Sequence, residues 1–273
     1  MTPFTRRAVL AMSAAAGATA CATGTGDAPA AITDPSQRPG RVRHYVIAAR
    51  DPELVSKEIY DFLELEPRPE APRKPGTGTE QFGFRTRMMR VGTTMLEIVT
   101  PIREPHGLHT FFKEQGGDGG YMVVMQTYDD VALLKRMSDA GLKLAMEIPN
   151  FQGQHLMQFD YKVFGTRFEF YRYTPEENWW GNPLSPDWKD PKAVSDIVAA
   201  KVAVENPSAV AETAAKVFLG KRKGDSVHFT DRRVDFTAPV NGLRGLNTLY
   251  LTARDRRRVG TRKKIANVDF VFV

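Results

Sequence analysis

The chain has 273 residues, of which 42% are hydrophobic, 26% charged and 10% aromatic, with a formal net charge of +6. These are ordinary globular values and exclude collagen-like, disordered and multi-span membrane classes. A single cysteine, Cys21, excludes an intrachain disulfide framework.

The first 21 residues read as a leader. Arg6-Arg7 precedes a weakly apolar run, Ala8 to Ala20, too short to span a bilayer core of about 30 Å as a helix. Thr5-Arg6-Arg7-Ala8-Val9-Leu10 resembles the twin-arginine export motif, and Ala18-Thr19-Ala20-Cys21 resembles a bacterial lipobox. The expectation is therefore a periplasmic protein, with Cys21 either a lipid anchor on the membrane or lost in cleavage. Loss of Arg6 and Arg7 with the leader would lower the charge by two. So mild a charge, at that address, argues against a nucleic-acid partner. Residues 22–40, rich in Ala, Thr, Gly, Asp and Pro, read as a flexible tether.

Val42–Ala49 is a predicted strand, stopped by Arg50-Asp51-Pro52. Asp51 is an N-cap and Pro52 suits a first helical turn, after which Leu54, Val55, Ile59, Phe62 and Leu63 recur at helical spacing. A Pro/Gly-rich loop from Pro67 to Gly78 leads to strands at Phe82–Arg90 and Thr94–Thr100 around a Val91-Gly92-Thr93 turn. The order then repeats: a strand at Tyr121–Thr127, a helix at Val131–Ala140, and strands at Leu142–Ile148, Gln154–Phe164 and Arg167–Tyr173. Residues 176–191, with three tryptophans at 179, 180 and 188, form a linker. A worn third copy follows: strand Ile197–Glu205, helix Ser208–Leu219 and strand Val234–Pro239. Leu246–Asp255 and Asn267–Val273 are the remnant of a fourth copy that lacks most of its helix and middle strands. The expected class is α+β. Two strand–helix–three-strand modules fill 41–175, and a degenerate second domain fills 192–273.

This order, opening on Arg43-His44-Tyr45-Val46-Ile47-Ala48 and closing a half on Met95-Leu96-Glu97-Ile98-Val99, resembles the vicinal oxygen chelate superfamily. That is the family of glyoxalase I, methylmalonyl-CoA epimerase, fosfomycin-resistance enzymes and extradiol dioxygenases. Val91 to Glu97, followed by His109-Thr110-Phe111-Phe112-Lys113, looks closest to its epimerase and glyoxalase branch. The resemblance implies that paired modules curl into a cup with a divalent metal on its floor. Carried over position by position, the ligands are His44, Glu97 and Glu169. Strand alternation agrees, since each stands among apolar neighbours where an unpaired charge is costly. One imidazole and two carboxylates suit Zn, Mn, Fe(II) or Ni. A fourth position, counted back from Asp130 as His44 is from Asp51, falls on Val123, which ligates nothing.

His155 is a candidate general base, its ordinary pKa of about 6.5 suiting proton transfer. Arg85, Arg87 and Arg172 are weaker candidates for clamping an anionic substrate, and His106 and His109 read as surface. In the C-terminal half, Ala199 and Thr248 stand where ligands would be, so that half is expected to widen the core, wall the cup or make a homodimer. Its basic run, Arg254 to Lys264, reads as a solvated hairpin tip, with contact to anionic lipid as the alternative. The expected function is an exported metal-dependent isomerase, epimerase or lyase acting on a small hydroxy-carbonyl substrate. The alternatives are a metal-free small-molecule binder and an extradiol-type dioxygenase.

Overall fold

The computed structural model describes residues 33–66, 78–177 and 188–273. The leader, the lipobox, residues 22–32 of the tether, the loop at 67–77 and the first two tryptophans of the linker lie outside the described residues.

Four modules follow one another, each with its first and last strands paired in parallel. In the first, β1 (Arg41–Ala48) leads to α1 (Pro52–Leu63) and the hairpin β2 (Phe84–Val91) and β3 (Thr94–Pro101), with β1 parallel to β3. A helix, α2 (Gly107–Gln115), then precedes the second module. This comprises β4 (Gly119–Thr127), α3 (Asp130–Asp139), β5 (Leu144–Phe151), β6 (Gln154–Phe159), a single turn α4 (Tyr161–Phe164) and β7 (Arg167–Arg172), with β4 parallel to β7. The third has β8 (Val194–Ala203), α5 (Pro207–Phe218), β9 (Lys221–Lys223), β10 (Ser226–His228) and β11 (Arg233–Thr237), with β8 parallel to β11. The fourth keeps β12 (Gly245–Ala253), β13 (Arg262–Ile265) and β14 (Val268–Phe272), with β12 parallel to β14.

The repeat is local chemistry. Asp51, Asp129 and Asn206 each cap the module's helix, their side chains accepting from the amides of Leu54, Ala132 and Ala209. In the fourth module Asp255 performs the same capping, but on a 3-10 turn, Arg256–Arg258, that goes no further. Two strands end differently from expectation. β6 stops at Phe159 because Asp160 accepts from the amide of Lys162 and starts α4. β5 runs on through Pro149 because it is an edge strand, bonded only to β6 and irregular between Ile148 and Phe151, where a missing amide is tolerated. The basic run is largely solvent-exposed, as expected, and carries ion pairs. It folds as the 3-10 turn and β13, with Arg257, Arg258, Lys263 and Lys264 paired to Asp255, Glu64, Glu58 and Asp269.

Residues 33–273 form one compact unit, and the described strands join into a single 14-stranded sheet. The halves meet where β4 and β12 touch at Gly120 and Leu246. A Cβ on Gly120 would lie 2.1 Å from the Leu246 carbonyl oxygen, so only glycine admits this approach. Buried Arg232 ties the same halves by donating to Asp196, to the Thr93 hydroxyl and to the Ile197 carbonyl.

The main core lies between the halves. Phe218 of α5 inserts among Phe159, Phe164, Phe168 and Phe170 of the second module. In return, Phe62 of α1 packs on Phe272 of the last strand at 5.3 Å between ring centroids. Helices of one half thus fill the surface of the other. Part of the expected tether also belongs to this body. The Gly40 amide bonds the Phe218 carbonyl at 3.0 Å, and Arg38 pairs with Glu176 while its guanidinium covers the Tyr128 ring.

Candidate functional site

The face of β1, β3, β4, β6 and β7 turned away from that core forms a second apolar cluster around a cavity of about 430 Å³. Alternation puts Val46, Glu97, Val99, Met122, Leu156, Gln158, Arg167, Glu169 and Tyr171 on its wall. Phe82, Phe84, Phe151 and Leu108 close the sides. A cavity of this size, largely apolar with a few convergent polar groups, has the form of a small-molecule site.

His44, Glu97 and Glu169 all belong to this face and are all buried, at 1%, 5% and 8% exposure. In register His44 lies across from Met95 and Val124, and Val124 from Glu169. His44 Nε2 lies 3.1 Å from Glu97 Oε2, while the Glu97 and Glu169 side chains, but not that of His44, line the cavity.

Glu169 Oε2 accepts from Gln158 Nε2 at 2.9 Å. Gln158 Oε1 in turn accepts from Arg167 Nη1 at 2.8 Å. Burial raises the Glu169 carboxyl above its ordinary 4.5, opposed by His44 and the Gln158 bond and assisted by neighbouring Glu97. Burial, with Glu169 second, also pushes the Tyr171 phenol well above 10.

The fourth position needs a correction. Val123 belongs to the main core on the opposite face, and Val124 and Met122 face the cup. The count slips by one because the residue equivalent to Asp51 is Asp129, which caps α3, and not Asp130; seven back from Asp129 is Met122, on the cup face. The corner remains apolar at either position. As a donor set, one imidazole and two carboxylates match a divalent ion chemically. Their placement does not. Glu97 is engaged by His44 and Glu169 by Gln158, and no group of three or more His, Cys, Asp or Glu among the described residues is arranged to hold a metal.

His155 does not reach the cavity. It alternates with Leu156 and Gln158, which do, and its ring is clamped by Asp130 at Nδ1 (2.6 Å) and Glu147 at Nε2 (2.9 Å). That is a bridge from the α3 terminus to the β5–β6 hairpin, and it leaves the ring without a place on the cavity wall where a general base was expected. Arg85, Arg87 and Arg172 also point elsewhere, toward Glu80, Glu53 and Asp130. His106, expected on the surface, instead lines the cavity, tilted against the Phe84 ring at 5.7 Å between centroids and capping α2 through Nδ1 at 3.2 Å. Burial, then neighbouring His109, lowers its pKa below 6.5. Sequence reasoning passed over Gln158, Arg167 and Tyr171. Arg167 and Tyr171 stand two residues either side of Glu169, so the alternation that selected Glu169 also selects them.

No protein-family profile matches the chain, and a search of curated protein sequences finds no significant match. Solved structures do match. A hypothetical protein from Staphylococcus aureus superposes with a TM-score of 0.58 at 10% identity, over 86% of this chain and 98% of that one. A triple mutant of 4-hydroxymandelate synthase from Streptomyces coelicolor gives 0.56 at 14% identity, over 80% and 72%. Methylmalonyl-CoA epimerase from Mycobacterium tuberculosis gives 0.40 at 16% identity, over 48% and 87%. At these identities the likeness concerns architecture alone. The repeated modules and the superposition over 80% of this chain show an α+β fold shared with that synthase, consistent with the vicinal oxygen chelate architecture that the sequence resemblance implied.

Proposed function

We propose that the cup performs acid–base chemistry on a small oxygenated molecule, as an isomerase, epimerase or lyase. The observation that carries this reading is Glu169. It is a buried carboxyl on the wall of an apolar cavity, raised in pKa by that burial and oriented by Gln158. Such a group exchanges a proton closer to neutrality than a solvated carboxylate does, which is what abstraction next to a carbonyl requires. Gln158 donates to the charged form and limits how far burial drives the shift. Glu97, braced by His44, supplies a second carboxyl facing the same space.

The test is exchange of C–H for C–D in deuterated buffer, followed by proton NMR over a panel of hydroxy ketones and keto acids. Wild type should exchange at least one member, and Glu169→Gln should slow it by about 100-fold or more. Equal exchange by the two proteins, or none by folded wild type, overturns the reading. Binding without exchange would be the behaviour of a metal-free binding protein.

The donor chemistry of His44, Glu97 and Glu169 favours a metal-dependent version as the second reading. An ion would have to free Glu97 from His44 and Glu169 from Gln158. Metal analysis after folding with Zn, Mn, Fe(II) and Ni decides it. A stoichiometric ion lost from both His44→Ala and Glu97→Gln establishes that version. Export through residues 1–21 is carried forward on the sequence alone. Cell fractionation of wild type against a variant with both Arg6 and Arg7 changed to lysine tests it.

A further inference from the structure

A second cavity, of about 220 Å³, adjoins the first. Gly107, Tyr121 and Arg167 line both, so these residues form the wall between them. Arg167 is the only arginine lining either cavity among the described residues. Its guanidinium donates to Gln158 Oε1 and lies beside two phenols, 5.5 Å and 5.8 Å from the centroids of the Tyr121 and Tyr161 rings. No carboxylate pairs with it among the described residues, in contrast to Arg38, Arg85, Arg87, Arg172 and Arg232, which all have ion pairs.

A guanidinium carries five N–H donors in a planar fork, and a neutral amide leaves both its charge and part of that fork unmatched. Partly desolvated among aromatic rings, it attracts an anion more strongly than it would in water. We infer that Arg167 is the anchor for a monoanionic carboxylate ligand, whose carboxylate lies at the junction of the two cavities and whose apolar body occupies the larger one.

Charge selects the carboxylate. Glu97 and Glu169 line the larger cavity and Glu114 the smaller, so a dianion such as a phosphate monoester would meet more repulsion against a single cation than a monoanion does. A planar two-oxygen group also matches the guanidinium edge. The body is constrained by Phe82, Phe84, Phe151, Leu156 and Met122, an apolar and largely aromatic surround. This deepens the proposed function by naming the substrate class, and it rests on the same cavity.

The experiment is calorimetric titration of the full chain with 3-phenylpropionate, 3-phenylpropionamide and phenyl phosphate. The acid should bind at least tenfold more tightly than its isosteric amide and more tightly than the phosphate. Arg167→Gln, checked for folding by its thermal transition, should bring acid and amide to within about twofold. Arg167→Lys should keep the acid preferred, by a smaller margin. Equal binding of acid and amide by wild type, an unchanged preference in Arg167→Gln, or no binding of any of the three compounds overturns the inference. Deuterium exchange on the same samples separates the two readings. Acid preference without exchange removes the catalytic reading alone, and exchange on neutral ketones without acid preference removes this one alone.

Discussion

Replacing Phe218 by alanine tests whether the two halves share one core. The ring is 1% exposed and its centroid lies 4.6, 5.0, 5.3 and 5.5 Å from those of Phe170, Phe164, Phe159 and Phe168. Removing a fully buried phenyl group forfeits about 2–3 kcal/mol of transfer free energy. The four surrounding rings sit on β6, α4 and β7, anchored by the sheet, and collapse little into the space. A residual void of roughly 80 Å³ at about 24 cal/mol per Å³ adds about 2 kcal/mol. The expected loss is therefore about 4 kcal/mol, within the range usual for buried phenylalanine truncations. The assay is urea unfolding of wild type and Phe218→Ala, followed by far-ultraviolet circular dichroism and by tryptophan fluorescence. Phe218 belongs to the C-terminal half and its four neighbours to the N-terminal half, so both probes should report one transition at lower denaturant. A loss below about 1.5 kcal/mol, or two transitions of which only one moves, would refute the shared core.

Two further outcomes follow from the geometry of the site. The Glu169 pKa is raised in the folded state, so its protonated form is the favoured one. The contribution is complete below the unfolded value of 4.5 and is lost as pH rises through the folded value. Glu169→Gln, which cannot ionise, should therefore gain thermal stability relative to wild type as pH rises from 4.5 toward neutrality. A pH-independent difference in melting temperature would count against a buried, raised carboxyl. His155→Ala should leave ligand binding and proton exchange unchanged while costing about 1–3 kcal/mol through its lost bonds to Asp130 and Glu147. Loss of exchange at full stability would return His155 to the site.

Much of the molecule is legible in the sequence because its determinants are local. Asp51-Pro52, Asp129-Asp130 and Asn206-Pro207 mark helix starts by hydrogen bonds three residues long. Alternation within single strands put His44, Glu97 and Glu169 among apolar neighbours, and the parallel pairing of β1 with β3 and of β4 with β7 brings them to one face. Repetition of that order was enough to indicate the fold class.

What tertiary structure alone decided is how elements pair and what they face. With Asp129 and Asp130 adjacent, only the folded chain shows that Asp129 is the cap, which moves the fourth position from Val123 in the main core to Met122 on the cup face. His155 sits in a strand that borders the cup, yet its partners lie on the far side of the sheet, 8 and 25 residues away in sequence. The basic run looked like free charge until the fold brought Glu58 and Glu64 of α1 against it. The cysteine and the leader are read from sequence alone. Which partners the cup's carboxyls take is set by side chains from separate strands. His44 takes up Glu97 and Gln158 takes up Glu169, contacts between residues 53 and 11 positions apart that exist only once the sheet has formed.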